Sequence, residues 1–156
     1  MTAEVRSAVP GDLAVLDREL PTGRNDVHAT FLTRQASGDV TYLVAWRGPV
    51  PVGIAVLRWH PRVRDPEIGN LSVPAALRGQ GIGTALVRHA EGLARERGAA
   101  RITIGVDEAN PRAAALYERL GYADTGRRWV ATYRYFDETG TEREATEHVH
   151  LLAKPL

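Results

Sequence analysis

The sequence predicts one α/β domain spanning residues 1–156, built on a mixed central sheet of about six or seven strands with about four flanking helices. Three observations lead there. The length of 156 residues lies within the ~100–200 usual for one domain. Runs with the period of strands alternate with runs of helical period. In the centre the order strand, turn, helix occurs twice with short links, the arrangement that lays strands side by side through helical crossovers. No internal repeat, linker or low-complexity tract interrupts the chain.

Val5–Ala8 reads as a short strand, and Pro10-Gly11-Asp12 then breaks it and offers Asp12 as the N-cap of an amphipathic helix through Leu13, Leu16 and Leu20. Pro21–Asn25 is a loop, Val27–Ala36 a second helix, and Ser37-Gly38-Asp39 a break. Val40–Trp46 and Val50–Trp59, rich in β-branched and aromatic residues and separated by Arg47-Gly48-Pro49, read as an antiparallel hairpin whose second arm starts irregularly at Pro51. After the loop His60–Pro66 comes the strand Glu67–Val73, where strict alternation puts Glu67, Gly69, Leu71 and Val73 on one face. A glycine-rich turn follows, then a helix over Thr84–Arg97 with Gly98 at its stop. Arg101–Val106 is the next strand, and Asn110-Pro111 opens a helix that ends before Gly121. Trp129–Phe136 and His148–Ala153 are the last two strands, divided by the turn Asp137–Gly140.

Composition narrows the function classes. Basic residues number 20, all Arg except Lys154, and 19 acidic residues balance them to a formal charge of +1. No overall field draws nucleic acid or anionic lipid, so any anion site is local. Pairs such as Arg127-Arg128 and Arg62/Arg64 are too small to argue otherwise. The absence of Cys excludes disulfides, thiolate metal sites and a cysteine acyl-enzyme. The five His residues show no metal-binding spacing. The N-terminal segment carries Glu4 and lacks the apolar core of a signal peptide, and the longest apolar runs fall short of the ~18–20 residues that cross a bilayer. The expectation is a cytoplasmic protein without nucleic-acid or membrane partners.

The strongest local signal is Arg78-Gly79-Gln80-Gly81-Ile82-Gly83 between a strand and a helix. Glycines let successive N–H groups point inward and the helix N-terminus adds positive potential, so this loop suits a pyrophosphate. A P-loop would need Lys before Ser or Thr after the last glycine, and Thr84 follows Gly83 directly. The dinucleotide pattern G-x-G-x-x-G fails as well, because its third glycine would fall at Thr84 or Leu86.

With these motifs in hand, Glu67–Tyr122 resembles the acetyl-CoA core of the GCN5-related N-acetyltransferase (GNAT) superfamily. The R/Q-x-x-G-x-G/A loop stands as Arg78–Gly83, its preceding strand as Leu71-Ser72-Val73, and the N-x-x-A-x-x-L-Y-x-x-x-G-F/Y helix matches at Asn110, Ala113, Leu116, Tyr117, Gly121 and Tyr122. The opening Val5–Ala8 and Gly11-Asp12-Leu13 also resemble the family's first strand and helix.

The resemblance implies a GNAT-like fold with acetyl-CoA as cofactor and direct transfer of its acetyl group to a primary amine. It implies that Leu71, Ser72 and Val73 pair with the pantetheine arm. It further implies that Arg78, Gly79, Gln80, Gly81, Ile82, Gly83 and Thr84 cradle the pyrophosphate, and that Asn110 contacts the cofactor while capping its helix. Tyr117 stands where the family places the hydroxyl that protonates the departing thiolate. Glu67, four residues before Leu71, resembles the catalytic Glu of the histone acetyltransferases. Asp107 and Glu108 are alternative bases or anchors for the substrate ammonium. The acceptor is a small-molecule amine or amino acid in this reading, with a protein N-terminus or lysine, or a non-catalytic acyl-CoA-binding module, as the alternatives. Substrate choice falls on Pro21–Ser37, His60–Pro66 and Gly126–His148, and the last strand leaves a homodimer open.

Overall fold

The computed structural model describes residues 2–60 and 65–156; the Arg62/Arg64 pair and most of the His60–Pro66 loop lie outside the described residues. Seven strands form a single sheet: β1 (Glu4–Ser7), β2 (Val40–Arg47), β3 (Val50–Arg58), β4 (Glu67–Ser72), β5 (Arg101–Asp107), β6 (Ala123–Phe136) and β7 (Glu142–Pro155). Their order is β1-β2-β3-β4-β5-β7-β6, and every neighbouring pair is antiparallel except β4 with β5. The parallel pair requires a crossover, which the helix α3 (Ile82–Glu96) supplies.

Helices α1 (Leu13–Glu19) and α2 (Val27–Ala36) cover one face of the sheet, and α3 and α4 (Pro111–Arg119) the other. Under α1 and α2 lie Tyr42, Val44, Ile54 and Val56; under α3 and α4 lie Leu43, Leu57, Ile68, Ile102, Ile104 and Leu152. Ile82, Leu86, Val87, Ala90 and Ala94 give α3 a continuous buried stripe at helical spacing.

Two of the buried polar groups lie on opposite faces. His28 is fully buried, with Nδ1 2.6 Å from the Tyr42 hydroxyl and Nε2 2.7 Å from the Leu20 carbonyl oxygen. The carbonyl can only accept, so Nε2 carries the proton and Nδ1 accepts from Tyr42. Glu91 of α3 accepts from the Tyr122 hydroxyl at 2.8 Å and pairs with the Lys154 ammonium at 3.1 Å. This network ties α3 to β7 and to the residue that follows α4.

Several boundaries differ from the sequence reading. Asp12 stands at the N-cap position of α1 as expected, but its side chain makes no capping bond: it closes a 3₁₀ turn, Pro10–Asp12, in which its carboxylate accepts from the Val9 N–H at 2.8 Å. Arg6 engages the same carboxylate through two bonds, at 2.7 and 3.0 Å, and these with the Val9 bond orient it away from the α1 amides. Helix α3 starts at Ile82 because Gly81, at φ 83°, turns the chain into it directly. The final hairpin is much longer than its apolar runs, 14 residues in each arm, since cross-strand pairing extends through polar residues up to the Asp137 turn. Thr139, Thr141 and Arg143 all donate to the Asp137 carboxylate and hold it down at about 2.

The Arg6 guanidinium also holds the Asp12 carboxyl below the usual carboxylate range. A depressed folded value means stability that is present above about pH 4 and lost as pH falls through the folded value. Asp12→Asn should therefore lower Tm at pH 7, with the gap to wild type closing as pH falls through the folded value in a thermal scan across pH.

Candidate active site

The site begins with an interruption of the sheet. Parallel pairing of β4 with β5 covers only Glu67 opposite Thr103 and Ile68 opposite Ile104, after which the two strands part. The cause lies on the other edge of β4. Ile54 and Val56, two apart on β3, face Ser72 and Gly69, three apart on β4, so β4 carries one extra residue. Asn70 absorbs it in the left-handed region at φ 51°, a conformation Asn tolerates better than most residues. Its side chain accepts from Arg58 Nη2 at 2.5 Å.

The bulge overturns one sequence expectation. Leu71 and Val73 pack with Ile68 in the α3 core, while Glu67, Gly69 and Ser72 register with Arg58, Val56 and Ile54 on the opposite face. Glu67 and Leu71 therefore do not share a face. The Glu67 carboxylate meets Arg58 Nη1 at 3.5 Å, and the same guanidinium crosses so close over Gly69 that a Cβ there would overlap it. Burial lowers the Arg58 pKa, and Glu67 opposes that shift.

Where β4 and β5 diverge, a cleft of about 420 Å³ opens on the α3–α4 side. Its wall contains Leu71, Ser72, Val73, Arg78, Gly79, Gly81, Ile82, Gly83, Thr84, Asn110 and Tyr117. Every position expected to bind cofactor is thus on the wall except Gln80, which is exposed outside it. Gly79 and Gly81 have φ of 76° and 83°, which a side chain would strain. The bond from Ala85 N–H to the Gly81 carbonyl is the first of α3, so the amides of Ile82, Gly83 and Thr84 have no acceptor within the helix. Arg78 donates from Nε to the Val73 carbonyl at 3.2 Å, which lays its guanidinium along the cleft mouth.

Helix α4 forms the far wall. The Asn110 Oδ1 caps it by accepting from Ala113 N–H at 3.1 Å, with Pro111 at the first helical position. Tyr117 is buried to 6% exposure and packs edge-on against Tyr122, ring centroids 6.3 Å apart. Among the described residues its hydroxyl has no hydrogen-bond partner, and burial pushes it up to about 12. Sequence reasoning missed Arg112 and Arg119, which also line the cleft. Their spacing of seven on α4, a shared helical face, was the available signal.

Asp107 and Glu108 part company. Asp107 closes a turn by accepting from Ala109 N–H at 3.1 Å, and its register with Val149 puts it on the α1–α2 face. Glu108 meets His150 Nε2 at 2.7 Å, a bond that lowers its pKa, and His150 registers with Val106 on the opposite face. Neither lines the cleft. Among the described residues no cluster of His, Cys, Asp and Glu could hold a metal, and no helix is long and apolar enough to cross a membrane.

Comparison with known proteins fits this geometry. The acetyltransferase (GNAT) family matches residues 13–122, which include β4, the glycine loop, α3 and α4. The chain belongs to the GNAT acetyltransferase family. Among relatives of this GNAT chain, the streptothricin acetyltransferase of Streptomyces lavendulae is 34% identical over 97 residues, covering 62% of this chain and 46% of that protein. The mycothiol acetyltransferase of Salinispora arenicola is 44% identical over 82 residues, 49% of this chain and 25% of that protein. The GNAT chain thus spans less than half the length of either relative. A phosphinothricin acetyltransferase from Sinorhizobium meliloti, solved in complex with AcCoA, shares the fold with a TM-score of 0.72 at 21% identity, covering 100% of this chain and 89% of that one.

Gly53 of β3 fixes how closely the start of α3 approaches β4, since a Cβ there would stand 2.9 Å from Ile82, 3.2 Å from Leu86 and 3.3 Å from the Ser72 carbonyl. Gly53→Ala should cost about 1–3 kcal/mol by overpacking, read as a lower denaturant midpoint with unchanged slope.

Proposed function

We propose that this GNAT chain transfers the acetyl group of acetyl-CoA to a primary amine of a small molecule. The observation that carries the reading is the parted β4–β5 edge, which joins an anion-binding loop at one end to the unpartnered Tyr117 hydroxyl within one cleft. Acetyl-CoA fits that wall chemically, as an anionic pyrophosphate followed by a slender, amide-bearing arm. The free amides of Ile82, Gly83 and Thr84, with Arg78, Arg112 and Arg119 around them, suit the phosphates. Leu71, Leu77, Ala113 and Leu116 give the arm apolar sides, and the unpaired edge of β4 offers backbone partners for its amides.

When bound, acetyl-CoA supplies the acetyl group as a thioester. The chain contains no Cys to carry that group, so the amine attacks directly in a ternary complex. Backbone N–H groups along Leu71–Val73 are the donors to the acyl oxygen. With its pKa raised to about 12, Tyr117 keeps its proton through the neutral range and is the proton source for the departing sulfur. Glu67 is the candidate base. It flanks the last paired position of β4 and β5 on the face opposite the cleft, so an amine approaching from that side meets a carboxylate. Asp107, on the same face, is the second candidate and an anchor for the ammonium. Glu108, held by His150 on the other face, is the remaining carboxylate at the end of β5.

A small acceptor is supported by the relatives named for streptothricin and mycothiol, and by the curl of the final hairpin over the α1–α2 face. A single N-acetyltransferase domain over residues 1–156 and a homodimer are further parts of the proposal, for which size-exclusion chromatography with light scattering is the measurement.

Acetyl-CoA at about 100 Kd should stabilise the protein by about 2.7 kcal/mol, or roughly 5–11 °C in Tm, whereas ATP should give no saturable rise. No rise with acetyl-CoA would remove the basis of the reading. Tyr117→Phe should lower kcat by roughly 10²-fold or more while leaving acetyl-CoA affinity within about twofold. Glu67→Gln should shift the acidic limb of the pH–rate profile, and an unmoved limb would transfer the base to Asp107 or Glu108.

A further inference from the structure

Asn25, in the loop between α1 and α2, grips the tip of β6. Its Nδ2 donates to the Phe136 carbonyl at 3.0 Å, and the Phe136 N–H donates to its Oδ1 at 3.0 Å. A side-chain amide here makes the two-bond exchange that a neighbouring strand would make. Nδ2 also donates to the Thr22 carbonyl at 3.0 Å, which fixes the amide within its own loop. Arg24 adds a guanidinium 4.3 Å above the Phe136 ring and a bond from Nη1 to the Gly140 carbonyl at 3.3 Å.

This clasp closes a ring. β6 is the outer edge of the sheet, whereas the loop that holds it belongs to helices packed on β2 and β3, with β4, β5 and β7 between. The two meet only because the sheet and its long hairpin curl over the α1–α2 face, so the clasp fixes where the hairpin tip stands over that face. By register Glu67, Asp107, Tyr133 and Glu147 all belong to that face, and the Tyr133 hydroxyl donates to Glu147 at 3.0 Å. How far the hairpin tip stands from the helical loop, and so how much room an acceptor has beside those carboxylates, is set at Asn25.

We infer that Asn25 is a specificity-determining residue for the acceptor, admitting amines by bulk through its clasp on Phe136. The inference rests on the acetyl-transfer reading above. Asn25 touches neither the cofactor cleft nor the reacting atoms, so it acts through the position of the hairpin.

The test measures CoA release from acetyl-CoA by the full chain, across primary amines of rising bulk from n-propylamine to a tripeptide. Wild type, Asn25→Ala and Asn25→Asp are compared. Asn25→Ala should raise kcat/KM for the bulkiest acceptor relative to the smallest by about tenfold, through amine KM, with KM for acetyl-CoA unchanged within about twofold. Asn25→Asp keeps the acceptor for the Phe136 N–H but loses the donor, and should fall between. Amide exchange at Phe136, faster in Asn25→Ala, reports that the clasp has opened in a folded protein. An open clasp with the same acceptor ranking would overturn the inference and leave acetyl transfer standing. No CoA release from wild type with any amine would overturn both.

Discussion

Only two residue pairs hold β4 to β5, and the rest of the site depends on that pairing stopping where it does. The extra residue at Asn70 turns β4 away, and Arg58 stabilises the turned strand from β3 by bonding the Asn70 side chain and crossing Gly69. A left-handed non-glycine residue costs of order 1–3 kcal/mol and persists only where its surroundings over-determine it. Here one guanidinium does so, and the same guanidinium faces Glu67. The shape of the cleft and the setting of the candidate base are therefore joined in a single side chain. Conversely, it is the absence of a Cβ at Gly69 that allows that guanidinium to pass.

The cleft also needs its two helical walls held at a fixed spacing. α3 is seated by its apolar stripe, and Gly53 lets its first turn settle against the end of β4. α4 is short, and its outer surface is largely exposed, so hydrophobic burial alone fixes it weakly. Its two ends are pinned by polar means: Asn110 caps the start, and beyond the end Tyr122 reaches the buried Glu91 of α3. Both walls are thus tied to each other through one carboxylate and, through Lys154, to β7. A buried pair of this kind adds little net stability against an apolar isostere, but its geometry is directional. Direction is what a wall carrying Tyr117 requires.

What was legible in the sequence was local. The glycine loop, the Asn-Pro start of α4 and the apolar period of α3 are each decided within a few residues, and the structure has them where the sequence put them. The bulge at Asn70 was not legible, because Glu67–Val73 alternates as well as any regular strand and the extra residue is decided by pairing with β3. That error moved Glu67 to the wrong face. Asp12 holds its expected N-cap position, but its capping bond was not decided locally, since an Arg six residues earlier engages its carboxylate. The Asn25 clasp joins positions 111 residues apart and leaves no trace in either segment. Polar pairing in the last hairpin was hidden because the search for strands followed apolar runs.

Lys154 carries a consequence for how such a protein lives with its own chemistry. It is the sole lysine, and its nitrogen lies against Glu91 on a side chain only 22% exposed. Every other cationic side chain except histidine is a guanidinium, which stays protonated and makes a poor nucleophile. The surface of the molecule therefore presents almost no competing acceptor to an activated acyl group. In the proposed reading, an activated acyl group in the cleft thus meets few side-chain amines of the same chain that could compete with the acceptor.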